Sequence, residues 1–212
     1  MRPADFETLT ATVDCGFPEY LDPPGDPAGL LDAWLAAAHR QGVREPLALA
    51  LATADTEGRP STRMVSISAV EPGALVFATQ TTSRKSRDLA MNPRAGGVLY
   101  WRETGQQVVL SGCVDPVGAA GSEAMWHARP RALHPMTVAS EQSLELESPE
   151  LLARRAAELA AGPEPLARPA RYVGYRLVLD EIEFWCSDPD RLHRRLAYRR
   201  TGGRWEWKRL QP

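Results

Sequence analysis

Leu47–Thr79 reads LALALATADTEGRPSTRMVSISAVEPGALVFAT, and this stretch decides the fold. Three apolar runs, Leu47 to Thr53, Arg63 to Val70 and Ala74 to Thr79, are separated by turn residues at Glu57-Gly58 and Pro72-Gly73. Short runs of this kind predict strands rather than helices. The pattern returns at Ala95 to Trp101, Gln107 to Val114, Tyr172 to Leu179, Glu181 to Cys186, His193 to Arg199 and Trp205 to Leu210. So many consecutive strands with few helices predict a mainly β chain with flanking helices, arranged as an antiparallel barrel and not as an alternating α/β sheet.

The helices have their own signals. Asp26 can cap orphan amides, Pro27 suits the first helical position, and Leu30, Leu31, Trp34, Leu35 and Ala38 recur at helical spacing until Gly42. A short helix is expected from Ser83 to Met91, and a helical insert near 121–161 with pieces at Ser122 to Ala128 and Pro149 to Ala161. Proline-rich Gly162 to Pro169 then returns the chain to strands. Residues 1–25, ending in Pro23-Pro24-Gly25, read as an extended arm, and 26–212 as one domain.

Composition excludes several classes of function. With 212 residues, 43% hydrophobic and 25% charged, the chain can bury a sizeable core. A formal net charge of -2 offers no basic excess for a nucleic acid. Neither a leader pattern nor an apolar run of the ~20 residues needed to span a bilayer is present, so a soluble cytoplasmic protein without membrane contact is expected. Cys15, Cys113 and Cys186 are odd in number and widely spaced, and the four histidines lack metalloenzyme spacing. No metal site is expected, nor is there a Gly-x-Gly-x-x-Gly or Walker loop.

Two clusters carry chemistry. Ser83 occupies a helix-cap position, yet Arg84 and Lys85 follow it, and cations in a first turn oppose the helix dipole by about 0.3–1 kcal/mol. Amides, a hydroxyl, a guanidinium and an ammonium at one helix start suit a phosphate, with Arg63 on a preceding strand adding to them; the plain alternative is that both cations extend into water. If Arg191 to Arg199 is extended, Arg191, His193 and Arg195 share a face and repel unless something negative covers them. Trp185 would wall that face, which suits a planar anionic ligand; a solvated edge strand is the alternative.

Arg63-Met64-Val65, Ser83-Arg84-Lys85, Gln106-Gln107-Val108, Gln142-Ser143, Glu183-Phe184-Trp185 and Arg191 to Arg195, with the terminal Arg209-Leu210-Gln211-Pro212, together resemble the FMN-dependent pyridoxine 5'-phosphate oxidase family. The resemblance implies a split β-barrel homodimer with FMN at the subunit interface. By position, Arg63, Met64, Val65, Ser66, Ile67, Thr79, Ser83, Arg84 and Lys85 would hold FMN from one subunit, and Gln107, Gln142, Ser143, Trp185 and Arg195 would complete the pocket. Arg129, Arg191 and His193 match positions used for substrate. Vitamin B6 enzymes hold their substrate's phosphate with a lysine, a tyrosine, an arginine and a serine, where this chain has Ser68, Met125, Arg129 and Leu133.

Phe17-Pro18-Glu19-Tyr20, Gly42 to Ala50 and His134-Pro135-Met136 resemble the phenazine-biosynthesis branch of that family. That branch implies reduced phenazine carboxylates as substrates, dehydrogenated by hydride transfer to the flavin with molecular oxygen as final acceptor. His193 would relay a proton or bind a carboxylate, while Arg129 and Arg191 orient the substrate. The alternatives are a vitamin B6 oxidase and a non-catalytic flavin-binding split-barrel protein.

Overall fold

The computed structural model describes residues 16–163 and 165–212. Cys15 and most of the expected arm lie outside the described residues. After α1 (Pro27–Arg40) come β1 (Ala48–Ala54), β2 (Pro60–Glu71), β3 (Ala74–Gln80), α2 (Arg84–Met91), β4 (Arg94–Trp101) and β5 (Gln106–Pro116). Helices α3 (Gly118–Ala128), α4 (His134–Ala139) and α5 (Pro149–Ala161) precede β6 (Tyr172–Cys186), β7 (Arg194–Thr201) and β8 (Arg204–Leu210).

The strands form one antiparallel sheet in the order β3-β2-β1-β4-β5-β6-β7-β8. A further pairing, from Ala74↔Val178 to Gln80↔Tyr172, joins β3 to β6 and closes the first six strands of that order into a barrel. Closure removes the exposed edges that an open sheet would present. The second half of β6, from Glu181 to Cys186, instead carries β7, so β7 and β8 extend the wall beyond the barrel.

Inward side chains alternate as a half-buried strand requires: Leu49, Leu51, Leu99, Val108, Leu110, Leu177 and Phe184 are essentially inaccessible. Helix α1 contributes the expected stripe, and Trp34 meets Phe17, Trp101 and Phe184 at ring-centroid distances of 4.8, 6.3 and 5.1 Å. Residues 16–25 are therefore not simply extended. Pro18–Tyr20 form a 3-10 turn, Phe17 enters the core, and Arg209 Nε donates to the Tyr20 carbonyl at 2.6 Å.

Four local expectations change. Strand β6 is continuous across Asp180, where the sequence suggested a break between Leu179 and Glu181; the β5–β6 register shifts between Ser111 and Gly112, and Arg94 grips the Asp180 carboxylate. Strand β7 begins at Arg194, because Arg191 has a φ of 64° and turns the chain, so Arg191, His193 and Arg195 are not three neighbours on one strand face. Helix α3 starts at Gly118 rather than near Ser122, and the six-residue α4 is too short to announce itself by periodicity. Among the described residues, no helix is long and apolar enough to cross a membrane.

Gly112 allows the two strands to meet at the bulge, because a Cβ there would lie 1.9 Å from the Val178 carbonyl oxygen. The obstacle is backbone and cannot swing away. Gly112→Ala is expected to destabilise the fold by about 3 kcal/mol or more, read as a lower urea midpoint; an unchanged midpoint would mean that β5 and β6 part without cost.

Candidate functional site

One mouth of the barrel gathers most of the sequence-predicted phosphate ligands. Ser83 caps α2, its Oγ accepting the Ser86 N–H at 3.3 Å, and α2 has no acidic residue in its first turn. Lys85 Nζ donates to Thr79 Oγ1 at 3.0 Å and reaches Gln142 Oε1 at 3.5 Å; Thr79 in turn donates to Gln142 Oε1 at 2.9 Å. The Arg84 backbone N–H donates to Ser143 Oγ at 3.1 Å. Gln142 and Ser143 thus sit with the Arg84–Lys85 group of their own chain.

Burial, and secondarily the Arg63 charge, hold the Lys85 ammonium below its ordinary pKa of 10.5. Burial also lowers Arg63, and Arg84 pushes in the same direction. Two cations that lose hydration beside a third, Arg84, are the kind of group whose charge a nearby anion stabilises. Sequence reasoning missed a carboxylate that tempers the charge at Arg63. Asp88 is buried on α2, accepts the Thr53 hydroxyl at 2.7 Å and lies 3.9 Å from Arg63, while Arg63 Nη1 donates to Thr53 Oγ1 at 2.8 Å. A lone aspartate in a polar helix carries no sequence signal that it faces inward.

Of the β2 group, the inward-facing Ile67 lies in the core and Val65 packs against it, so only their backbone could meet a ligand. Met64 and Ser66 are exposed on the opposite, outer face. Strand registers continue that face through Ala48 opposite Ser66, then Tyr100↔Gln107, Gln107↔Trp185 and Trp185↔Arg195. Gln107, Trp185 and Arg195 therefore form one row on the outside of the wall, whereas Arg63 shares the inner face with its partner Leu51. Within one chain the two groups therefore lie on opposite faces of the wall.

Arg195 already has a negative partner: its Nε and Nη2 donate to the two Glu183 oxygens at 2.6 and 3.0 Å. Sequence spacing suggested an external anion for this charge, and Glu183 supplies it internally. His193 packs on Trp185 with ring centroids 4.7 Å apart, and its Nδ1 accepts the Asp188 N–H at 3.1 Å. A neutral ring in that position carries its proton on Nε2.

Among substrate positions, Met125 and Arg129 sit at the end of α3. Met125 fills the notch left by Gly174, where a Cβ would approach its sulfur to 2.3 Å. The Arg129 guanidinium lies 5.9 Å from the Tyr172 ring centroid, and its buried Nε has no hydrogen-bond partner among the described residues. Leu133 is exposed nearby in sequence, and Ser68 stands apart, exposed, at the β2 register shift between Ile67 and Ala69. Among the described residues, Ser143 and Arg191 are the non-glycine residues with positive φ, at 67° and 64°. Backbone strain of this kind concentrates at functional positions.

Known proteins were compared with this geometry. Residues 35–186 match the family described as pyridoxamine 5'-phosphate oxidase, and 172–212 match the pyridoxine 5'-phosphate oxidase C-terminal dimerisation region. The chain is 49% identical over 212 residues to dihydrophenazinedicarboxylate synthase of Burkholderia lata, covering 100% of both. It is 39% identical to pyridoxine/pyridoxamine 5'-phosphate oxidase of Deinococcus deserti, covering 98% of this chain and 99% of that one. Among solved structures, PhzG from Burkholderia lata 383 in complex with tetrahydrophenazine-1-carboxylic acid aligns with a TM-score of 0.92 and 48% identity, covering 95% of this chain and 100% of that one. An FMN-binding protein from Nostoc punctiforme shares the fold at a TM-score of 0.71 and 20% identity, over 85% of this chain and 96% of that one.

Because Lys85 is held below its ordinary pKa, its charge opposes folding at neutral pH, and that cost fades as pH rises through the range just under 10.5. Lys85→Met is expected to raise the thermal midpoint of ligand-free protein by about 2 °C. Inorganic phosphate should stabilise the parent protein and not the variant. A variant destabilised without anion would make Lys85 a structural residue.

Proposed function

The chain belongs to the pyridoxamine 5'-phosphate oxidase family, and we propose that within it the protein is an FMN-dependent oxidase of reduced phenazine carboxylic acids. The observation that carries the substrate class is the apolar replacement of a phosphate grip. Met125 and Leu133 stand at two positions where vitamin B6 enzymes place polar ligands, and Met125 is wedged against Gly174. Hydrogen bonds to charged groups are worth about 1.5–3 kcal/mol each, so such losses weaken a phosphate ester strongly. A flat tricyclic acid gains from the same apolar surface, and full-length likeness to dihydrophenazinedicarboxylate synthase supports this choice.

The donor set fits a flavin mononucleotide. Arg63, Thr79, Ser83, Arg84, Lys85, Gln142 and Ser143 combine cations, hydroxyls and a helix start suited to a phosphate monoester. The outer-face row of Gln107, Trp185 and Arg195 would come from a second copy, a homodimer in which Met64, Tyr100 and Val109, exposed on the same wall, are covered. The match of 172–212 to a dimerisation region supports that assembly. FMN, when bound, supplies a two-electron acceptor that takes a hydride from the substrate ring and passes the electron pair to molecular oxygen.

The chain's own residues orient and neutralise. With Nδ1 occupied by the Asp188 amide, His193 offers an Nε2–H donor, which suits a substrate carboxylate better than proton abstraction. Arg191, held on its turn by the bond from its N–H to the Asp188 carbonyl at 2.9 Å, adds a cation at the same rim. Arg129, whose Nε has no partner among the described residues while its Nη2 reaches Thr137 Oγ1 at 3.5 Å, would take the substrate's acid from the α3 side. Aromatisation of the ring drives the reaction, so a strong general base is not required.

Anaerobic mixing of FMN-loaded protein with a reduced phenazine carboxylate is expected to bleach the flavin absorbance, while pyridoxine 5'-phosphate leaves it unchanged. Bleaching by pyridoxine 5'-phosphate alone would return the chain to vitamin B6 chemistry. Arg191→Ala is expected to raise KM for the carboxylate about tenfold or more with unaltered flavin content; an unchanged KM would remove Arg191 from substrate binding.

A further inference from the structure

Residues 137–143 run from the end of α4 to the cradle, and two side chains outside that segment hold its carbonyls. Gln80, 2% exposed at the end of β3, satisfies its whole amide. Its Nε2 donates to the Thr137 and Ser140 carbonyls, both at 3.1 Å, while its Oε1 accepts the Gln142 N–H at 2.9 Å and the Thr82 hydroxyl at 3.4 Å. Arg171, immediately before β6, donates from Nε and Nη2 to the Ser140 carbonyl at 3.2 and 3.0 Å, and from Nη2 to the Val138 carbonyl.

Both side chains act from the seam where β3 and β6 close the barrel, since Gln80 pairs with Tyr172. No carboxylate among the described residues pairs with Arg171, whose charge meets the C-terminal carbonyls of α4 instead, the favourable end of a helix for a cation. Beyond Ser140 the chain is exposed from Glu141 through Glu147, and Ser143 adopts a left-handed backbone. Such a segment keeps a strained conformation only if its surroundings impose it.

Resting on the FMN reading above, we propose that Gln80 and Arg171 are positioning residues for the cofactor, forming a clamp on the Ser140 carbonyl that delivers Gln142 and Ser143 to Arg84 and Lys85. Neither needs to touch the ligand. The clamp sets where the Gln142 amide and Ser143 hydroxyl stand before any ligand arrives, so its loss is felt as weaker binding.

The test is equilibrium binding of FMN to apoprotein, followed by flavin fluorescence, for Gln80→Ala and Arg171→Met. Each is measured in the parent chain and in a Gln142→Ala/Ser143→Ala background. Each change is expected to weaken FMN binding about tenfold in the parent and less than about twofold in the background that lacks the delivered side chains. Arg171→Lys, which keeps a cationic donor, should recover part of the loss and substitutes for Arg171→Met if that variant does not fold. Unchanged affinity, or equal loss in both backgrounds, would overturn the clamp, because a general structural defect does not depend on Gln142 and Ser143. Failure of the parent itself to bind FMN would overturn the functional reading with it, whereas tight parental binding beside unaffected variants would sink the clamp alone.

Discussion

The pairing of β3 with the first half of β6 is the constraint on which the rest depends. It closes the barrel, and at its Gln80 end it fixes the start of α2 and the return of the helical insert. Because β6 continues past Asp180, the same strand that seals the core also projects Trp185 and receives Arg195 on the outer wall. Gly112 makes this continuity possible at the bulge. Cofactor cradle and outer row are thereby held in fixed relation by one strand.

Electrostatics at the cradle follow from that geometry. Partial burial of Lys85 and Arg63 costs both some hydration, and the Asp88 carboxylate offsets part of the charge at Arg63. The cluster holds an unfavourable interaction that the proposed phosphate would relieve, exchanging some stability of the ligand-free chain for affinity. The row of Glu183, Arg195 and Trp185 is built the other way. Its ion pair is complete within one chain, so the outer wall presents an aromatic and an oriented guanidinium rather than an unsatisfied charge.

Much of this was legible in the sequence, for identifiable reasons. The barrel strands announced themselves because Leu47–Thr79 places turn formers at regular intervals, and α1 because its five apolar residues recur on one face. Ser83 was readable as a cap from its place before the expected helix, and the two cations that follow it stood out because they oppose the helix dipole. What could not be read is what depends on long-range contact. The bulge at Gly112 turned an apparent break at Asp180 into one strand, a left-handed Arg191 moved a cation off the β7 face, and α4 is too short for any periodicity. Asp88, Thr53 and Gln80 acquire their roles mainly from partners 10 to 62 positions away.

The outward direction of Gln107, Trp185 and Arg195 has a consequence for how such a protein behaves in the cell. In the homodimer proposed above, with Gln107, Trp185 and Arg195 on the far side of the wall from Lys85, cofactor occupancy and subunit association would share one equilibrium. Dilution would then shed flavin even when flavin is plentiful, and flavin scarcity would loosen the assembly even when chains are abundant. Apoprotein made faster than the vitamin is supplied would then accumulate with its outer wall, including Met64 and Tyr100, open to solvent. In that assembly flavin supply would govern how long this apolar wall stays exposed, and with it the lifetime of the chain as well as its catalysis.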